Sequence, residues 1–346
     1  MRRTSRTMST HRAGATSLAA LLLLAGYVNG ADERATIEQL VAEMNQRIET
    51  ITLGEENDGV VPRFNQSKTV ACVEARFRVH DDVPEALQYG VFKRATTYPA
   101  FLRFANATNA DDSEKDIRGL SIRLSGVEGP MLWGEPGMQD FLLNSYPALF
   151  VATPEEFLAF IRARQEGSEL GFFLNPLDSH LKSLWIVYKA RDRHLSPLDI
   201  RYWSTVPFRL GPADGPPVKY SVTPCSDYQT RKAVNPGEQQ LRAAVSAHLQ
   251  QAPACLSFGV QIQTSPESMP IEDATVIWDE DESPFITLAT ITIPNQAIDD
   301  TDTLARCERS AFNPWQSLEA HAPIGRMNAV RREVYEAAAT VRNRPD

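Results

Sequence analysis

The stretch 326-RMNAVRREVYEAAATVRNR-344, near the end of the 346-residue chain, decides how the rest is read. Its Ala-rich run without Gly or Pro predicts a closing helix. At about 100° per residue, Arg331, Tyr335 and Arg342 fall within roughly 40° of one another, so two guanidiniums bracket one phenol. Val330, Val334, Ala337 and Val341 form an apolar stripe beside them, which presses such a helix onto a core. An arginine beside a phenol favours its ionised form, and a phenolate is a strong donor to ferric iron. Arg342 is left for a carboxylate. The same residues also read as a surface helix with an Arg332–Glu336 pair and a Tyr at its edge, and the segment alone does not choose.

At the other end, Arg2, Arg3, Arg6 and Arg12 precede the apolar run 17-SLAALLLLAGYV-28, and Val28-Asn29-Gly30 offers small residues for cleavage before Ala31. That is the pattern of a signal peptide over residues 1–30. The run is short for a bilayer span and no other apolar run has membrane length. The mature chain is therefore expected to be exported, periplasmic or secreted, and not membrane-embedded. Arg2-Arg3 leaves twin-arginine export as a second route. With four arginines and no acid in the first 30 residues, the formal charge passes from −9 to −13 on processing. An acidic exported chain is a poor match for nucleic acid. Cys72, Cys225, Cys255 and Cys307 are far apart with no CxxC pair, which excludes a zinc-finger cluster. One or two disulfides are compatible with export, the three full pairings stay open, and buried free thiols are an equal alternative.

Residues 31–59 read as a helical arm, with 36-TIEQLVAEMNQRIETI-51 amphipathic and a polar loop after it. Period-two alternation then predicts strands over 70–79, 100–106, 118–126, 206–211, 217–224, 256–264 and 286–294. Helices are expected over 154–167, with Pro154 in the first turn, over 236–252, and at the end. Many short alternating segments punctuated by Gly and Pro predict an antiparallel sheet or barrel within one α+β domain over 60–346.

Three stretches together resemble the haem-binding core of the catalase superfamily, in its short bacterial branch. The segment 311-AFNPWQSLEAHAPIGRMNAVRREVYEAAATVR-342 is similar to that family's proximal segment, where an Arg precedes the iron-ligating Tyr by four residues and another follows by seven. These positions are Arg331, Tyr335 and Arg342. The segment 138-MQDFLLNSYPALFVATPEEFLAF-160 resembles the stretch carrying a distal Asn, a Pro and a Phe stacked on the haem, here Asn144, Pro147 and Phe157. The segment 102-LRFANATNADDSEKDIRGLSIRL-124 resembles a strand pair in which Arg103 matches a propionate-binding Arg. The resemblance implies an antiparallel β-barrel with surrounding helices, a C-terminal helix carrying the haem-ligating Tyr335, and haem b with ferric iron. Haem needs an apolar slot rimmed by cations and one axial donor. Phe157 supplies a face, Arg63, Arg103 and Arg342 the rim, Tyr335 the donor, and the small Ala338 lets the ring approach.

The family's distal base is a His three residues after a propionate-binding Arg. In 63-RFNQ-66 the Arg is Arg63 and the His position holds Gln66. A primary amide has no useful basicity near neutral pH, though it donates and accepts hydrogen bonds. The family's His-orienting Ser, after Arg-Phe, is here Ala105. His80, His180, His194, His248 and His321 match no family site and read as surface or structural residues; 279-DEDES-283 and 299-DDTD-302 read as solvated acidic loops. Loss of a general base typically lowers turnover by about 10²–10⁴-fold. The expectation is an exported haem protein acting on hydrogen peroxide or organic hydroperoxides, through Gln66 and Asn144, as a weak peroxidase or hydroperoxide-converting enzyme rather than a fast catalase. The alternative is a non-catalytic haem- or gas-ligand-binding protein on the same fold; a homo-oligomer is compatible with both.

Overall fold

The computed structural model of the protein describes residues 17–175 and 179–344. The chain divides into two units, residues 1–39 and 40–346. Of the leader expected over residues 1–30, the first 16 lie outside the described residues and the remainder falls on the start of helix α1 (Ser17–Gly54). In the second unit, Leu40, Val41, Met44, Ile48 and Ile51 are buried at helical spacing, on the amphipathic segment expected there. Among the described residues no helix is long and apolar enough to cross a membrane.

The strands are β1 (Lys68–Val79), β2 (Thr97–Asn106), β3 (Arg118–Ser125), β4 (Met131–Trp133), β5 (Met138–Asn144), β6 (Tyr202–Trp203), β7 (Phe208–Arg209), β8 (Pro217–Pro224), β9 (Ala254–Ile262), β10 (Ile286–Ile293) and β11 (Ser317–Leu318). The helices after α1 are α2 (Pro154–Gln165), α3 (Glu169–Leu174), α4 (Leu181–Ala190), α5 (Gln240–Gln251), α6 (Thr301–Arg309) and α7 (Arg326–Arg342). Eight strands pair antiparallel in the order β6-β5-β3-β2-β1-β10-β9-β8, and a β6–β8 pairing closes them into a barrel. Strand β7 extends β8, and β4 pairs separately with β11. Closure removes the exposed edges that an open sheet of this size would present.

Alternation explains the barrel. In β1, Val73, Ala75, Phe77 and Val79 are buried while Glu74, Arg76 and Arg78 face solvent. The interior is aromatic: Phe258 lies 4.9 Å from Phe141, 5.2 Å from Phe77 and 5.5 Å from Tyr220, centroid to centroid. Full burial of such a ring contributes roughly 1.5–3 kcal/mol. His321 fills one gap in this core. Its Nε2 accepts from the Val91 N–H at 3.0 Å, which leaves Nδ1 to donate to the Tyr220 hydroxyl at 2.9 Å. Burial depresses its pKa to about 3, so it is neutral and structural. Gly90, at φ 52°, makes room for it, since a Cβ there would fall 2.3 Å from Nε2.

Several elements differ from expectation. The strand expected over 206–211 shrinks to Phe208–Arg209, because Thr205 takes φ 59° and Gly211 bonds instead to Ala320. Strand β5 escapes the alternation pattern because it buries Asp140, which the Arg123 guanidinium grips at 2.6 and 2.7 Å. The helix expected over 236–252 starts at Gln240, since Gly237 turns the chain at φ 120°. The acidic 299–302 stretch is no solvated loop: Asp300 accepts from the Thr303 N–H at 2.7 Å and caps α6. The cysteines form two disulfides, Cys72–Cys307 and Cys225–Cys255, which removes the free-thiol alternative.

Candidate functional site

A loop ahead of β1 carries Arg63, Phe64 and Gln66. Gln66 adopts φ 55°, an uncommon backbone state for a residue with a side chain. Two arginines hold it there. Arg103 of β2 donates to the Gln66 carbonyl at 2.7 Å and to Thr69 Oγ1 at 2.9 Å. Arg164 of α2 donates to the Phe64 carbonyl at 3.2 Å and stacks its guanidinium 4.6 Å over the Phe64 ring. The Gln66 amide then donates from Nε2 to Asn144 Oδ1 at 3.1 Å, while its Oε1 is buried without a protein partner.

The floor beneath this amide is a row of facing residues across three strands. Ala105 of β2 pairs with Gly119 of β3, which pairs with Asn144 of β5. A Cβ on Gly119 would fall 2.2 Å from Gln66 Oε1, so the missing side chain makes space for the amide. Ala105 presents no hydroxyl to the row. Gly119 gave no signal in the sequence because its reason is Gln66, more than fifty residues earlier.

Arg63, Arg103 and Arg342 come together. One Arg63 nitrogen donates to the carbonyls of Cys307, Glu308 and Ser310 at 3.1, 3.0 and 3.0 Å. Arg342 of α7 donates to two of these, on Glu308 at 3.3 Å and Ser310 at 3.2 Å. Burial, then the neighbouring Arg103 and Arg342, push Arg63 down to about 8, and burial holds Arg103 at about 10. A guanidinium keeps its proton in proteins, so these depressions express the cost of gathering three cations in a poorly solvated place. Arg63 Nε is buried without a partner. Such a trio suits an anion of two charges.

On α7, Arg331 donates to the Tyr335 hydroxyl at 3.2 Å and to Asn328 Oδ1 at 3.0 Å. Asn328 is fully buried and fixed by bonds to the Pro207 and Ile324 carbonyls, at 2.7 and 3.0 Å. The arginine is thus aimed by its own helix and a loop. Arg342 does not bracket the phenol as expected but turns to the end of α6. Arg332 pairs with Glu333 at 2.7 Å, not with Glu336. Half-buried Phe157 meets Phe64 edge-on at 6.5 Å and Phe150 at 6.4 Å, at the rim of an aromatic cluster.

The predicted residues therefore assemble as an amide pair, an arginine trio and an arginine–phenol pair. The trio links the other two, through Arg103 on Gln66 and Arg342 on α7. No hydrogen bond among the described residues joins the amides to the phenol directly. A cavity of about 450 Å³ runs beside α7 against Trp133, Ala311, Asn313 and Ala339, and of the predicted set it reaches Tyr335. Among the described residues no cluster of three or more His, Cys, Asp or Glu side chains is placed to hold a metal ion.

Three solved structures share this architecture. A bacterial catalase superposes with a TM-score of 0.63 at 17% identity, over 84% of this chain and 59% of that one. A fungal catalase gives 0.66 at 14%, over 100% and 66%. Catalase A from Saccharomyces cerevisiae gives 0.62 at 15%, over 99% and 68%. The fold is catalase-like, and the chain spans about three fifths to two thirds of the length of these proteins. No protein-family model matches the sequence, and no curated protein matches it either.

Proposed function

We propose that this is an exported haem protein that acts on hydrogen peroxide or organic hydroperoxides as a slow peroxidase or hydroperoxide-converting enzyme. The observation that carries this reading is the arginine trio, bonded to Gln66 through Arg103 and sharing α7 with the Arg331–Tyr335 pair through Arg342, on a catalase-like fold. Arg63, Arg103 and Arg342 would hold the two propionates of haem b, Phe157 would pack against its apolar ring, and Tyr335 would give its oxygen to the iron. Arg331 donates to the oxygen of this phenol at 3.2 Å and would hold it in place. When bound, haem supplies a ferric redox centre that polarises a peroxide oxygen.

The chain's own contribution is orientation. Gln66 Oε1 is a buried acceptor that would receive the O–H of a hydroperoxide, and the Asn144 amide is a donor for its second oxygen. Neither takes up a proton near neutral pH. Turnover is therefore slower than with an imidazole at position 66, by about 10²–10⁴-fold. The mutual bond between the two amides also favours a second reading, in which the site holds a haem ligand and does no chemistry. The paired state of all four cysteines supports an oxidising compartment, in line with the leader-like N-terminus.

The test is to produce the mature chain with haemin supplied and record ultraviolet–visible spectra of wild type and Tyr335→Phe. Oxygen release and peroxide consumption with an electron donor are then measured. A Soret band altered by Tyr335→Phe, with slow peroxide consumption, is expected. No Soret band in wild type sinks the proposal; haem binding without turnover of any hydroperoxide selects the second reading.

A further inference from the structure

Helix α6 has one buried side chain, Cys307. Nine residues are too few for a helix to stand alone in water. The ties of its other side chains are exposed, namely the Arg306–Glu74 ion pair, Arg306 stacked 4.1 Å from Phe101 and the Asp300 cap, while the carbonyls at its end accept from Arg63, Arg342 and Asn343. Exposed ion pairs contribute little. A covalent bond from Cys307 to Cys72, both buried, with Cα atoms 6.3 Å apart, joins α6 to the barrel.

Two of the three clustered guanidiniums take their positions from the end of this helix. The carbonyls of Cys307, Glu308 and Ser310 at the end of this helix accept from Arg63 and Arg342, and that of Cys307 also accepts from the Ser310 N–H at 3.2 Å. The third is set at the other end of the same disulfide. Cys72 faces Arg103 directly across the β1–β2 pair, so both side chains leave the same face of the sheet. One covalent bond thus connects the strand pair that carries Arg103 to the platform that aims Arg63 and Arg342.

We propose that Cys72 and Cys307 are positioning residues for anion binding: their disulfide sets the geometry of the Arg63–Arg103–Arg342 trio, and its reduction selectively weakens binding of a dicarboxylate group. Reduction breaks the S–S bond and forms two thiols: an added thiol gives the two electrons and two protons and is left as its disulfide, whereas a phosphine gives the two electrons and becomes its oxide while water gives the oxygen and the two protons. Without that bond α6 has no covalent link to the barrel and keeps the exposed ties of Arg306 and the guanidinium bonds at its end. Arg63 and Arg342 then lose the carbonyls that hold them against mutual repulsion. The inference rests on the haem reading above for the identity of the anion.

The experiment compares haemin with haemin dimethyl ester, whose blocked carboxylates cannot pair with guanidiniums. Oxidised wild type is expected to bind haemin more tightly than the ester. In Cys72→Ser/Cys307→Ser, haemin affinity falls about tenfold, the scale of one lost charge-assisted hydrogen bond, while ester affinity holds. Cys225→Ser/Cys255→Ser leaves both affinities unchanged. Should the first variant fail to fold, phosphine treatment of Cys225→Ser/Cys255→Ser before porphyrin is added gives the same comparison, and reoxidation restores it. An equal loss for haemin and ester, or no loss for either, overturns the proposal. If oxidised wild type binds neither porphyrin, the haem reading falls and takes this one with it.

Discussion

Replacing Gln66 by His restores a base where the fold leaves room for one. The backbone at φ 55° suits His, which tolerates the left-handed region better than most residues. Gly119 leaves space beside position 66, and Asn144 offers a partner for one ring nitrogen. Proton transfer by a placed base is worth about 10²–10⁴-fold. Ala105, paired with Gly119, supplies no hydroxyl to fix the ring, so about 10² is expected from Gln66→His alone and roughly tenfold more when Ala105→Ser is added. The gained activity belongs to the neutral imidazole. It should be level above pH about 6.5 and fall below it, with the nearby Arg103 cation moving that limb to lower pH. Oxygen release from pH 5 to 9, at equal Soret absorbance, measures this. The reasoning fails if Gln66→His is no faster than wild type at equal haem load, or if wild type already evolves oxygen as fast as an ordinary catalase.

Three further outcomes are expected. Tyr335→Phe removes the acceptor of the Arg331 hydrogen bond and the proposed axial oxygen, so haemin should bind at least about tenfold more weakly with a shifted Soret band, while circular dichroism of the ligand-free chain is unchanged. Gly119→Ala places a methyl 2.2 Å from Gln66 Oε1; the amide must swing away, and hydroperoxide turnover should fall with little change in haem affinity, which separate titration and rate measurements distinguish. Lys219 is buried, donates to the Val276 carbonyl at 3.2 Å, and is depressed by desolvation to about 7 from 10.5. The unfolded chain binds the extra proton between these values, so stability should rise with pH from 7 to 9 by on the order of 2 kcal/mol, and Lys219→Met should flatten that rise in urea melts.

The parts of this molecule that were legible in sequence are those whose cause is local. Alternation along 70-VACVEARFRV-79 marks β1 because each buried side chain is two residues from the next. The Arg331–Tyr335 bond follows from one helical turn. Arg342 shows the limit of that reasoning: it lies near Tyr335 in projection but about 10 Å further along the axis, at 1.5 Å per residue, so it meets another element. Asp140 hid β5 because its partner Arg123 sits on the neighbouring strand, and an acid in a strand reads as a loop until the cation is found. The cysteine pairing and the platform at the end of α6 are likewise properties of the folded chain, which joins residues 235 apart.

That same bond gives the molecule a closed loop. From Cys72 to Cys307 the chain is a covalent ring that contains strands β2 to β10, and two tails leave it where the sulfurs meet. Gln66 lies on one tail, six residues before the junction, and Tyr335 on the other, twenty-eight after it. The covalent path between these two residues shortens from 269 residues to about 34. By chain statistics the entropy of bringing them together falls by about 2 kcal/mol. In the oxidised chain Gln66 and Tyr335 therefore sit on two short tails rooted at one point, rather than at distant places on one open chain.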